Sequence, residues 1–224
     1  VTDDASMVAL VDRVIAETGR VDVLVNNAGY GSYGAVEEVP IAEARRQFEV
    51  NVFGLARLTQ LVLPHMRAQH SGHIVNISSI GGKTHEPMGA WYHSTKFAVE
   101  GLSDSLRVEV SPFGIHVVVI EPGAIRTEWG GIAAQNLLAT SASGAYAGQA
   151  AITARVLGSE GLGSPPKVIA DAVARAVTAR RPRTRYAVGL GAKPILFARR
   201  VLSDRGFDRM IRLTYRTLSL RAAS

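Results

Sequence analysis

The chain has 224 residues, of which 47% are hydrophobic and 20% charged, a composition that fits a globular protein with a substantial core. It has no cysteine, which excludes disulfides and thiolate metal sites, and its six histidines show no ligand spacing, so we expect no metal. No apolar run reaches the ~18 residues of a membrane span. We expect a cytoplasmic protein.

The net charge of +6 is concentrated in the C-terminal tail. Residues 180–224 carry 12 Lys and Arg against two acids, whereas the rest of the chain has more acids than bases. No groove-fitting motif accompanies this charge, so we expect no nucleic-acid partner. Basic and apolar residues alternate over about 190–224. Such a segment fits peripheral contact with an anionic membrane, or equally a cover for a substrate pocket or a subunit interface.

Helix and strand patterns alternate from the start of the chain. Apolar residues at helical spacing predict a helix from residue 4 that Gly19 ends. Val21–Val25 is a short β-branched run, typical of a buried parallel strand, and leads into Asn26-Asn27-Ala28-Gly29. Gly29–Gly34 spells G-x-G-x-x-G but neither opens a helix nor precedes an acidic strand end, so it predicts a mobile loop beside the substrate.

A second helix and strand follow. An apolar stripe predicts a helix from Pro40 that continues until Pro64 disturbs it, with Asn51 at its middle, where asparagine is unfavourable. The run Ile74–Ile77 predicts a strand that ends at Ser78-Ser79. Ser79 is therefore expected at the carboxyl end of a strand, where open α/β sheets bind their ligands.

The remaining elements complete the alternation. Residues 90–111 form a predicted helix, and Ile115–Ile120 a third strand that brings a third strand end to the same edge. Residues 128–163 are rich in Ala, Gly and Ser with scattered apolar residues, a composition that suits a substrate lid. Pro165-Pro166 begins a further helix, and a last strand is predicted at Arg185–Val188.

Tyr92 and Lys96 are four residues apart in Tyr92-His93-Ser94-Thr95-Lys96, and Ser79 lies thirteen residues before the tyrosine. Positions i and i+4 share one helix face, so the Lys96 ammonium is expected beside the Tyr92 phenol. A neighbouring cation lowers a phenol pKa from its usual ~10 by roughly 1–3 units. Such a tyrosine can exchange protons near neutral pH, although this pair of residues also occurs on solvated helix faces.

Five spaced motifs resemble the short-chain dehydrogenase/reductase family, in family order and over almost the whole chain. They are Asn26-Asn27-Ala28-Gly29, Asn51-Val52-Phe53-Gly54, Ser79, Tyr92 with Lys96, and Pro122-Gly123-Ala124-Ile125-Arg126-Thr127. The stretch Lys96–Leu106 also resembles the branch that contains 17β-hydroxysteroid and retinol dehydrogenases.

The resemblance implies an α/β fold, a Rossmann-type doubly wound parallel sheet in three layers. Family members begin with a strand and a Gly-rich turn that hold the cofactor pyrophosphate, and a second strand then selects NAD or NADP. This chain has no match to them, so we expect about two strand–helix units to precede Val1 in the natural protein. Residues 1–224 are then one partial NAD(P)-binding domain, and Val1 matches a family residue beside the adenine.

By the same resemblance, Tyr92 exchanges a proton with the substrate oxygen, Lys96 lowers the phenol pKa and binds the nicotinamide ribose, and Ser79 hydrogen-bonds the substrate carbonyl. Asn51 is expected to hold a water that links Lys96 to solvent. The expected cofactor-binding residues are Val1, Asn27, Ala28, Gly29, Tyr92, Lys96, Pro122, Gly123, Ile125 and Thr127. The cofactor is NAD or NADP, which this sequence does not distinguish.

The implied function is hydride transfer between nicotinamide and a secondary alcohol or ketone. The apolar residues of the lid predict a lipophilic substrate that resembles a steroid, a retinoid or a fatty carbonyl compound. The alternatives are a non-catalytic dinucleotide-binding sensor or scaffold of the same fold and, for residues 1–224 alone, an inactive fragment. We expect a homo-oligomer.

Overall fold

A computed structural model describes residues 1–158 and 163–223, with side chains through residue 217. Residues 159–162 of the predicted lid and the side chains of 218–224 in the tail therefore lie outside the described part. Within it, four parallel strands form one sheet in the order β1 (Val23–Asn26), β2 (Gly72–Ile77), β3 (Ile115–Pro122), β4 (Arg185–Val188). The helices are α1 (Asp4–Thr18), α2 (Ile41–Phe48), α3 (Leu55–Gln69), α4 (Ala90–Val110), α5 (Glu128–Ser141), α6 (Ala147–Leu157), α7 (Lys167–Thr178), α8 (Ala192–Val201) and α9 (Asp204–Ala223).

Side chains alternate between the two faces of the sheet. Ile74 and Val117 pack on one face in the same core as side chains of α1, α3 and α4, whereas Val75 and Val118 pack on the other against α7. All four are at most 2% exposed. Because both of their faces are covered, β2 and β3 appear in the sequence as continuous apolar runs. The first strand was predicted to be buried as well, but Val23 and Val25 of β1 are each 40% exposed. The predicted three-layer α/β sheet is confirmed.

The helix predicted from Pro40 differs from the structure in two ways. It is divided into α2, a π-helical segment at Glu49–Gly54, and α3. In addition, α3 continues past Pro64, so the proline does not end the helix. Pro64 is exposed, while Val62 and Met66 on either side of it are buried in the core and hold the helix in place.

The other predicted bounds hold to within a few residues. Gly19 caps α1 with φ 75°, and β4 occupies the predicted residues. The first strand begins at Val23 and ends at Asn26, slightly later than predicted. The Gly29–Gly34 loop does not open a helix. Among the described residues, no helix combines the length and the apolar character that crossing a membrane requires.

Candidate active site

A cavity of about 1000 Å³ lies where the chain leaves β1, β2 and β3. Most of the predicted site residues line it: Asn27, Gly29, Ser79, Tyr92, Lys96, Pro122, Gly123, Ile125 and Thr127. Val1, Ala28 and Asn51 are not among its lining residues. The fold therefore brings together the hydroxyl, phenol and ammonium groups that the sequence motif singled out.

Tyr92 lies in the first turn of α4 and is buried. Its ring packs 5.1 Å from Trp129 and 5.6 Å from Tyr33, measured between ring centroids. Burial raises the pKa of Tyr92 to about 12, although a side-chain hydrogen bond with Ser79 lowers it. In the chain by itself this pKa is therefore raised, and not lowered as we expected from Lys96, because the loss of solvation by the phenolate dominates.

Lys96 lies one turn further along α4, and its Nζ is 5.9 Å from the centroid of the Tyr92 ring. The Nζ donates a hydrogen bond of 2.9 Å to the carbonyl oxygen of Ile77, the last residue of β2. Burial lowers the pKa of Lys96 to about 8, while the negative charge of Glu100 raises it. The ammonium is thus held between a strand end and the Tyr92 ring.

Ser79 takes its position from a tight turn. It caps the 3-10 helical turn Ile80–Gly82, and its Oγ accepts a hydrogen bond of 3.0 Å from the Gly81 amide. A hydroxyl that accepts in this way can still donate its own proton. The turn therefore aims a donor at Tyr92 or at a substrate oxygen in the cavity.

Asn51 lies in the π-helical segment and is 2% exposed. Its Oδ1 accepts from the Tyr30 amide at 3.0 Å, and its Nδ2 donates to the Tyr30 carbonyl at 2.9 Å and to Thr95 Oγ1 at 3.1 Å. A Cβ on Gly29 would lie 3.1 Å from Asn51 Oδ1. The amide thus holds the loop after β1 against α4, and its expected role in holding a water stays a prediction.

The cofactor side of the cavity has features that fit a dinucleotide. Gly29 brings backbone close to Lys96, since a Cβ there would lie 3.7 Å from its Nζ. Thr127 precedes α5 at the cavity wall, so a helix N-terminus borders this space, together with the cation of Arg126 and the carboxylate of Glu128. Val1 lies against Gly54, where a Cβ would be 2.5 Å from the Val1 oxygen.

The tail forms part of the cavity wall, one of the arrangements that its sequence left open. Phe207 of α9 is 0% exposed and lines the cavity with Ile211, and Ile195 of α8 lines it too. Tyr215 and Thr153 join α9 to α6 by a hydrogen bond of 3.0 Å. The apolar residues on this face of the tail therefore pack into the interior of the protein.

Glu86 also lines the cavity, and no motif in the sequence pointed to it. It lies in an irregular loop between β2 and α4, and its partner Tyr33 is 53 residues away in sequence. Only the tertiary fold brings the two together. Within the described residues, no group of three or more His, Asp or Glu side chains could hold a metal ion.

The family model described as short chain dehydrogenase matches residues 1–136. Oxidoreductase BOA17 of Botryotinia fuckeliana is 37% identical over 84% of this chain and 69% of its own length. The NADPH-dependent 3-dehydrocapnine reductase of Ornithobacterium rhinotracheale is 36% identical over 89% of this chain and 72% of its own length. The 3-ketodihydrosphingosine reductase of Bacteroides thetaiotaomicron is 45% identical over 57% of this chain and 47% of its own length.

Two solved structures extend these similarities. A short-chain dehydrogenase from Streptomyces avermitilis superposes with a TM-score of 0.74 at 39% identity, over 88% of this chain and 71% of that one. A 7α-hydroxysteroid dehydrogenase complexed with NADH and a 7-oxo bile acid has a TM-score of 0.55 at 36% identity, over 57% of this chain and 52% of that one.

Proposed function

Since the chain belongs to the short-chain dehydrogenase family of oxidoreductases, we propose that it interconverts a lipophilic ketone and its secondary alcohol with a nicotinamide dinucleotide. The observation that carries this proposal is the convergence of Ser79, Tyr92 and Lys96 on one cavity of about 1000 Å³. When bound, the nicotinamide supplies or accepts the hydride.

Side chains of this protein transfer the proton and bind the substrate oxygen. In reduction the carbonyl carbon gains a hydride and its oxygen gains the Tyr92 proton, so the ketone becomes an alcohol. Ser79 donates a hydrogen bond to the same oxygen, where negative charge grows in the transition state. Lys96 supplies positive charge near the phenolate that Tyr92 becomes, and Asn51 holds the loop beside it.

The cofactor is NAD or NADP. A relative is named for NADPH and a similar structure is described with NADH, so the comparisons support either. We assign its binding to Val1, Asn27, Ala28, Gly29, Tyr92, Lys96, Pro122, Gly123, Ile125 and Thr127. Titration of the full protein with NADH and with NADPH, followed by nicotinamide fluorescence, tests the assignment. A Lys96→Met variant that binds either cofactor as tightly as wild type would contradict the role given to Lys96.

A lipophilic substrate is supported by the apolar side chains that the lid and tail bring to the cavity. They include Trp129, Val156, Leu157, Ile195, Phe207 and Ile211. Such a wall offers few partners to the hydroxyls of a sugar. A relative named 3-ketodihydrosphingosine reductase and a bile-acid complex point the same way, as does the resemblance to the 17β-hydroxysteroid and retinol dehydrogenase branch.

The experiment is a comparison of kcat/KM for long-chain ketones, steroids and retinoids against polyols and small hydroxy acids. We expect the lipophilic compounds to be preferred. A polyol with a higher kcat/KM than every lipophilic compound would overturn the substrate class.

We further propose that residues 1–224 form one cofactor-binding unit, with a lid over about 128–163 and a tail over about 190–224. Exposed apolar side chains such as Phe97 and Val108, three helical turns apart on α4, favour a homo-oligomer. Light scattering after size exclusion tests this, and we expect Val108→Glu to shift the protein toward monomer.

The outer face of the tail supports peripheral contact with an anionic membrane. Phe197, Val201 and Leu213 are exposed there, together with Arg205 and Arg209. Each arginine near such a surface contributes on the order of 1 kcal/mol. We expect sedimentation with anionic vesicles at low salt and its loss in Phe197→Ser, which leaves the cavity wall intact. If the protein stays in the supernatant at low salt, the tail serves the cavity alone.

A further inference from the structure

Glu86 places a carboxylate on the cavity wall without a strong cationic partner. It lines the same cavity as Ser79 and Tyr92. Within the described part of the chain, its one ion-pair contact is with His93 Nε2 at 3.9 Å, which is too long for a hydrogen bond. The Glu86 side chain is 31% exposed, so its carboxylate is only partly withdrawn from water, and donors or a cation can offset the solvation that it has lost. A ligand could supply them.

His93 presents a second acceptor at the same place. Its Nδ1 lies 2.9 Å from the Gly81 carbonyl oxygen, and because a carbonyl only accepts, Nδ1 carries a proton. In the neutral ring, Nε2 is then an acceptor, and it is buried with no hydrogen-bond partner among the described residues. His93 as a whole is 7% exposed. In this ring Nε2 offers no proton to Glu86, so Tyr33 is the hydrogen-bond donor that the described residues show for this carboxylate.

The surroundings of this pair suit a positive charge. The Tyr33 hydroxyl donates a hydrogen bond of 3.1 Å to Glu86 Oε1. The rings of Tyr33, Tyr92 and Trp129 lie next to one another, with centroids 5.1 to 6.0 Å apart. Aromatic faces attract cations, and an ammonium group can donate an N–H to the carboxylate beside them.

We propose that Glu86 binds an ammonium group of the substrate, so that the enzyme acts on an amino ketone or, in reverse, on an amino alcohol. This inference rests on the proposed function. Tyr33 bonds Glu86, and its ring lies 5.6 Å from that of Tyr92, so these contacts place the amine in the part of the cavity that holds Tyr92. In reduction the carbonyl carbon gains a hydride and its oxygen a proton, while the ammonium keeps all its bonds.

The kinetic test uses two long-chain ketones of equal length, one with an amino group on the carbon next to the carbonyl. In the full protein, Glu86→Gln keeps an acceptor for Tyr33 but loses the charge. We expect kcat/KM for the amino ketone to fall about tenfold to a hundredfold, the loss typical of a charged hydrogen bond, and that for the plain ketone to change little. Glu109→Gln, on the exposed side of α4, is the matched control.

A binding test separates this inference from the proposed function. Dodecylamine and dodecanol are titrated while tryptophan fluorescence reports on Trp129 in the cavity wall. We expect Glu86→Gln to weaken dodecylamine about tenfold or more and to leave dodecanol unchanged. If wild type reduces neither ketone but binds the amine through Glu86, the proposed function fails and the ammonium site stands. If Glu86→Gln binds dodecylamine and dodecanol as tightly as wild type does, the ammonium site is overturned.

Discussion

His85 Nε2 lies 2.9 Å from Asp208 Oδ1 and so joins the loop after β2 to α9. Beside this contact, the ring of Phe207 packs 5.2 Å from that of His85 and is fully buried. The last helix is therefore part of the cavity wall, and its removal would expose the substrate site.

Phe207→Ala should lower the free energy of unfolding by roughly 3–5 kcal/mol, because it leaves a cavity in a packed wall. It should also raise KM for a long-chain ketone. The control is Phe197→Ala on α8, which is 66% exposed and should change the unfolding free energy by no more than about 0.5 kcal/mol. Urea denaturation of both variants is the measurement, and equal losses would contradict the assigned packing.

Lys96→Met should stabilise the cofactor-free protein more at pH 7 than at pH 10. The folded pKa of Lys96 is about 8, below its ordinary 10.5, so between these values the unfolded chain binds more protons. The stability of wild type therefore rises with pH through this window, and the variant lacks that dependence. Denaturation at the two pH values measures the difference, and a constant difference would show that Lys96 is not desolvated.

Glu121→Gln should gain stability relative to wild type as the pH rises through 7. Burial and, after it, the negative charge of Glu100 raise the pKa of Glu121 to about 7, against the attraction of Arg185. A carboxyl with a raised folded pKa stabilises the protein at low pH and loses this contribution as it ionises. Melting temperatures at pH 5.5 and 8.5 provide the test, with Glu109→Gln as control. If Glu121→Gln changes the melting temperature equally at both pH values, this would argue against a buried Glu121 carboxylate that is repelled by Glu100.

The motif residues were predictable because their chemistry depends on local spacing. Any α-helix places Tyr92 and Lys96 on the same face, because they are four residues apart. Ser79 follows a strand, which is enough to place it at the ligand-binding edge of the sheet. The apolar runs likewise predicted β2 and β3, since strands covered on both faces leave little choice of residue. The sequence therefore predicted the core of the sheet and the residues that converge at its edge.

What the sequence could not show depends on contacts between distant segments. The raised pKa of Tyr92 follows from burial beneath Trp129 and Tyr33, which no spacing reveals. Glu86 lies in a loop without periodicity. The pattern of the tail fits a membrane and a cavity equally well, because both accept an apolar face, and only the packing of Phe207 shows that one face turns inward.

Tyr92→Phe in the full protein removes only the phenol oxygen and so shows whether Tyr92 transfers the proton to and from the substrate oxygen. Cofactor affinity is measured by nicotinamide fluorescence, and turnover by NADH or NADPH consumption with a long-chain ketone. The variant should bind cofactor nearly as wild type does and lose turnover by at least about a hundredfold, since general acid catalysis contributes that much or more. Turnover equal to wild type would contradict this role of Tyr92, and a wild-type protein that binds cofactor without turning over any ketone or alcohol would favour the sensor or scaffold alternative.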